Sequence, residues 1–375
     1  MKKLFYLSLL ISLGLFTGCD KDDDINEVTA PATYTFERDG ASTVSFSGQT
    51  CRLQMATDIY NKMNDVDAAS ISEFITMFND GTGFDYDYTC GKNVGGKTAA
   101  SPTASSIVKS QFEDMFTKLV NEVYPNWTAQ ASVGISGQIT TSGGSVYQVD
   151  GKGLEIDQAF IKGLMGAMVV DQITNNYLTP SKLGSSTNNQ TDGLGSGEYT
   201  NMEHYWDEGY GYLYGYNNLH IGGTDNNANG PAEGKGVLLN KYLKKLNNGS
   251  HPGIANTIYD AFKLGRAAIV AGDYNLRDDQ AFIIKENVDK IIAQKAYDYL
   301  SGGAQTILSG ADREDSFHGL SEGYGFVLSL QFTNYFSTDE VNNMLNQMME
   351  GDGFWDISAD ELNSMASQIQ SVAGL

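Results

Sequence analysis

The sequence predicts an all-α, internally duplicated helical bundle with a small N-terminal β-hairpin. Three observations carry that expectation. Apolar residues recur at helical spacing through a succession of segments, most of them ten to twenty residues long. Alternating, strand-like runs are nearly absent. One block, H-x-x-x-E-G-Y-G-aromatic, occurs twice.

The chain opens with Lys2 and Lys3, an apolar run from Leu4 to Leu15, and Phe16-Thr17-Gly18-Cys19. Residues 1–18 read as an export signal with a lipoprotein-type cleavage site, leaving Cys19 as the lipid-bearing N-terminus. The run is shorter than the ~20 residues a spanning helix needs. Residues 19–31, in which Asp20-Lys21-Asp22-Asp23-Asp24 follows Cys19, form an acidic flexible tether. That acidic run beside a lipidated cysteine resembles the surface-export signal of Bacteroidetes lipoproteins. The resemblance implies a lipid-anchored protein of the outer membrane that faces the cell exterior.

Residues 32–375 are expected to form a single duplicated domain, with halves at about 105–250 and 251–375. Tyr34 to Arg38 and Thr43 to Phe46 flank Asp39-Gly40, the chemistry of a tight hairpin turn and the one notable strand pair expected. Leu53, Met55, Ile59 and Met63 then mark a helix, and Ser72 to Phe78 a short second one. Residues 80–104 are a Gly/Asp/Thr/Ser loop. Ile107, Phe112, Met115, Phe116, Leu119 and Val123 form a stripe that Pro125 ends. Gly134 to Gly153 is a loop with some β character, and a long helix runs from Glu155 to Leu178, stopping before Pro180. Polar loops at 185–197 and 217–236 bracket the first copy of the repeated block. Helical patterns follow at Val237–Leu246, Ile254–Val270, Asp278–Leu300, Ser316–Phe332, Asp339–Met349 and Asp360–Val372.

The formal net charge is −22. Nucleic acid as a partner is excluded by that balance, since phosphates need Lys and Arg, and so is a basic patch on an anionic membrane. Cationic ligands, metals and neutral glycans remain compatible. With Cys19 set aside, Cys51 and Cys90 remain, either as one disulfide or as two free thiols.

His318 lies 114 residues after His204, and the two blocks read HYWDEGYGY and HGLSEGYGF. Upstream, Asp157-Gln158-Ala159-Phe160-Ile161 recurs identically as Asp279 to Ile283, offset by 122. The difference matches the longer polar loop of the first copy. Residues four apart on a helix share a face, so His204 and Glu208 point together, as do His318 and Glu322. If the two helices met, two imidazoles and two carboxylates would suit a divalent metal such as iron or zinc. The alternative is a fully paired buried polar network. Asp207 belongs to the first copy only, Ser321 standing in its place. Tyr210, Tyr212 and Tyr324, with Tyr214 and Tyr216, are candidates either for core or for a ligand-binding surface. Asp225 to Gly230 fits the first half of a calcium loop, but Gly236 stands where the closing Glu is required. No H-E-x-x-H pattern is present in the sequence.

The segments PATYTFERDGASTVSFSGQT, NEVYPNW, NMEHYWDEGYGYLYG, YDAFKLGRAAIVAGDY and HGLSEGYGFVLSLQFT resemble a lipoprotein family of Bacteroidetes and marine bacteria, catalogued as domain of unknown function 4856. A weaker similarity is to imelysin-like proteins, which are exported, duplicated helical bundles associated with iron uptake. Their motif is H-x-x-E, which Ser321 breaks in the second copy. These resemblances imply a non-catalytic binding protein linked to iron or other metal acquisition. The alternatives they leave are a metal-dependent peptidase-like hydrolase and a structural partner of an outer-membrane transporter.

Overall fold

The computed structural model describes residues 27–66, 70–101, 105–217, 219–221 and 235–375. The signal, Cys19, most of the tether and the Asp225–Gly230 segment lie outside the described residues. The hairpin forms as expected: β1 (Glu37–Arg38) pairs antiparallel with β2 (Ala41–Ser42). Asp39 and Gly40 turn it with φ of 50° and 78°, the left-handed pair a two-residue hairpin requires.

Helices α1 (Ser47–Lys62), α2 (Ile71–Ile75) and α3 (Ser105–Lys118) follow. The Gly/Ser/Thr segment expected as a loop with some β character contains a second hairpin, β3 (Gly137–Thr140) with β4 (Val146–Val149). Four pairs of backbone partners hold its register, which alternation alone did not reveal among so many small residues. The long helix begins as α4 (Ile156–Leu164) and continues through π-helical turns at Met165–Val170 and Ile173–Tyr177.

The short α5 (Pro180–Leu183) leads to α6 (Asn201–Tyr214), which opens with a capping box of Thr200 and Glu203. Then come α7 (Leu239–Asn247), α8 (Ile254–Ala271), α9 (Tyr274–Leu308), α10 (Glu314–Ser329), α11 (Thr338–Met348) and α12 (Ala359–Ala373). Helix α9 outruns its expected ends. Asp273 caps it by accepting from the Leu276 N–H, and Gly302-Gly303 do not stop it. A Cβ on Gly303 would lie 2.4 Å from Leu320, so this glycine serves close approach to α10 instead of a break.

Helix α9 packs on α8, α10 and α12, and α10 packs on α4. Helix α6 packs on α1, α8 and the Ile173–Tyr177 turn. One contiguous apolar core runs through these layers. Among the described residues no helix is long and apolar enough to cross a membrane.

The repeated blocks are placed alike. DQAFI lies at the start of α4 and again in α9, and the His/Glu blocks form α6 and α10. Gly209 of α6 packs on Tyr177-Leu178, and Gly323 of α10 packs on Tyr299-Leu300, the same pair one repeat later. Tyr177 faces Tyr212 with ring centroids 6.0 Å apart, and Tyr299 faces Phe326 at 5.8 Å. Even the i,i+4 bond from Asn176 to Gln172 has its counterpart between Gln294 and Asp298.

Candidate functional site

On α6, His204 and Glu208 face the same way, as the spacing requires. His204 Nε2 lies 3.9 Å from Glu208 Oε2, its ring stacks on Tyr199 at 4.6 Å, and its Nδ1 has no hydrogen-bond partner among the described residues. Glu208 accepts from Gln49 Nε2 at 3.0 Å.

Asp207 turns to the opposite side and is fully buried. It accepts from Arg266 Nε at 3.0 Å, from the Tyr34 hydroxyl at 2.7 Å and from the Ser45 N–H at 3.3 Å. Arg266 also reaches Glu203 at 3.0 Å and Thr43 at 3.1 Å, and Arg38 closes on Glu203 at 3.1 Å. Burial alone would raise the Glu203 carboxyl, but Arg266, the Thr200 N–H and Arg38 hold it below its usual range. The network fastens the N-terminal hairpin to α6 and α8.

On α10, His318 and Glu322 share a helix face but take different partners. His318 Nδ1 lies 3.1 Å from both oxygens of Glu155, and its ring stacks on Tyr147 of β4 at 4.5 Å. Glu155 is held there because its N–H donates to Ser321 Oγ at 2.9 Å. Burial pushes the Glu155 carboxyl up to about 7, against the pull of His318, and the hydrogen bond to Glu155 raises the imidazole. Glu322 pairs with Lys162 at 3.1 Å and accepts from the Tyr242 hydroxyl at 2.9 Å. Burial opposes its ionisation, yet Lys162, Tyr299 and Tyr242 hold it at about 2.

His318 and Glu155 line a cavity of about 320 Å³ beneath the β3–β4 hairpin. Its aromatic walls are Tyr60, Trp127 and Tyr147, and Asn64, Gln148, Asp157 and Gln158 supply polar groups. From this floor a chain of bonds runs inward. Gln158 donates to Tyr60 at 2.9 Å, and Lys162 donates to Gln158 at 2.7 Å before meeting Glu322. That size is at the lower end for small-molecule sites, and convergent polar groups on apolar walls are their usual build.

The two His/Glu pairs therefore meet different partners, and those of His318 and Glu322, namely Glu155 and Lys162, come from the other copy's segment of the chain. Among the described residues, no group of three or more His, Cys, Asp or Glu side chains is placed to hold a metal ion. The tyrosines expected as a ligand surface need correction. Tyr210 and Tyr212 are buried, Tyr210 stacking on Tyr34 at 3.7 Å, and Tyr324 is largely covered. A helix with neighbours on several sides has little face left for solvent. Cys51 and Cys90 are joined as a disulfide. Sequence reasoning did not single out Glu155, Asp157, Tyr147 or Trp127 as site residues. The available signal was the DQAFI block, whose first copy lies beside the second copy's histidine.

Residues 31–375 match the family model described as Domain of unknown function (DUF4856). The chain belongs to this family. No curated protein and no solved structure matches it. The DUF4856 match spans the hairpin, both His/Glu helices and the cavity between β4, α4 and α10.

Proposed function

We propose that this protein is a surface-anchored, non-catalytic binding protein that takes a small polar ligand in the cavity beside His318. The observation that carries this is the Glu155–His318 pair opening onto aromatic walls and side-chain amides. A neighbouring carboxylate and imidazole offer both donor and acceptor capacity near neutral pH, which suits recognition of a polar solute. Anchoring rests on the apolar run ending in Cys19 and on the acidic tether. Delivery of the ligand to an outer-membrane transporter is the role such anchoring would serve.

Metal acquisition and metal-dependent peptidase chemistry draw less support. Both need about three protein ligands around one ion, and His318 with Glu155 supplies two.

Thermal unfolding of the soluble domain against a panel of neutral, cationic and anionic polar solutes tests the binding reading, with Trp127 fluorescence as a second readout. At least one solute is expected to raise the melting temperature of the wild type and not of His318→Ala. A panel without effect on either readout overturns the reading. Cys19→Ala is expected to move the full chain from the membrane fraction to the soluble one; a variant that stays with the membrane overturns the anchor.

A further inference from the structure

The cavity at His318 carries a charge pattern that narrows its ligand. Glu155 faces His318, so that pair offsets its own charge. Deeper in, Lys162 faces Glu322 and offsets that one. Asp157 is left. Its Oδ2 accepts from Asn64 at 3.2 Å and Gln158 at 3.0 Å, both neutral amides. Among the described residues no Lys, Arg or His lies within ion-pair distance of it, and none of the cavity's lining residues is Lys or Arg.

We propose that the cavity binds a small organic cation, a protonated amine carried on a ring, with the ammonium at Asp157 and the ring between Tyr147 and Trp127. This rests on the binding reading above and adds its ligand class. The physical reasons are three. An anion would meet two carboxylates inside a partly enclosed site, where like charges are screened little. A neutral apolar ring would cover Asp157 and leave its charge uncompensated. A ring-borne ammonium meets both needs, because aromatic faces attract cations and ring edges while the carboxylate takes the N–H donors. Burial raises the Asp157 carboxyl against the pull of Asn64, Lys162 and Gln158, and a cation beside it would favour the ionised form further. The protein's net charge of −22 acts in the same direction at long range.

The test uses three probes of one ring and three charges: benzylamine, benzyl alcohol and benzoate, titrated by calorimetry into the folded domain at pH 7.5. Benzylamine is expected to bind at least about tenfold more tightly than benzyl alcohol, a factor that corresponds to about 1.4 kcal/mol, and benzoate not at all. Asp157→Asn is expected to erase that preference while the neutral ring still binds. Nuclear Overhauser contacts from the benzylamine ring to the Trp127 indole of the wild type place the ligand, and they decide the matter should Asp157→Asn fail to fold. Equal affinity for amine and alcohol, tighter benzoate, no binding by any probe, or a preference that survives in Asp157→Asn each overturn the amine assignment. A neutral solute that stabilises the wild type through His318, when benzylamine does not bind, leaves the binding reading standing and removes only the ligand class.

Discussion

The Arg266 guanidinium and the Asp207 carboxylate meet 3.0 Å apart with neither side chain exposed to solvent. This pair joins α8 to α6, and through Tyr34, Thr43 and Ser45 it also holds the N-terminal hairpin. Removing one partner strands a buried charge, which typically costs about 3–5 kcal/mol. Arg266→Met and Asp207→Asn are each expected to lose that much in urea unfolding, and the double variant less than their sum. Losses below about 1 kcal/mol, the scale of an exposed pair, would show that the network is not closed in solution.

Neighbouring glycines on α9 are expected to respond in opposite directions. A Cβ on Gly302 meets nothing within 4 Å, so Gly302→Ala gains helix propensity, up to ~1 kcal/mol. Gly303→Ala forces Leu320 aside and costs about 1–3 kcal/mol. Melting temperatures of the two single variants check the sign.

Two buried carboxyls bend stability with pH in opposite directions. Burial raises Asp289 from 3.8 to about 7, although Asn334 donates to it twice. Its folded pKa lies above the unfolded one, so its contribution is full below 3.8 and lost as pH rises through about 7. Asp289→Asn should therefore stabilise relative to wild type at pH 8 and progressively less toward pH 4. Glu322 is the reverse: lowered from 4.5 to about 2, its contribution is present above 4.5 and lost as pH falls toward 2. Glu322→Gln should flatten the acid limb. Denaturant midpoints across pH 3 to 8.5 measure both.

Closing the 39-residue separation between Cys51 and Cys90 restricts the unfolded chain. Loss of such a bridge typically costs about 2–4 kcal/mol. The Cys51→Ser, Cys90→Ser double variant is expected to show that loss, and a non-reducing peptide map of the wild type to show the linked pair. Free thiols in that map would contradict the pairing.

His204 and His318 share no bonding partner: one meets Glu208 and Tyr199, the other Glu155 and Tyr147. Independent sites add within about 0.5 kcal/mol. His204→Ala and His318→Ala are expected to be additive in unfolding free energy, with or without added zinc. A coupling above about 1 kcal/mol that appears only with zinc would restore a joint centre.

The amino-acid sequence by itself determined the helical class, the Asp39-Gly40 hairpin, and the two matching blocks with their His/Glu spacing. Each is a local matter of periodicity, turn chemistry or direct identity, readable within a few residues. It also placed His318 and Glu322 on one face, since four residues make about one helical turn. Only the tertiary structure decided what those faces meet. Helix α4 lies against α10, so His318 finds Glu155 and Glu322 finds Lys162, partners more than 150 residues away in the chain. Asp207 went into the core because Arg266 of α8 and Tyr34 were brought to it. Partner choice of this kind follows from helix packing over long separations, and no spacing within one segment encodes it.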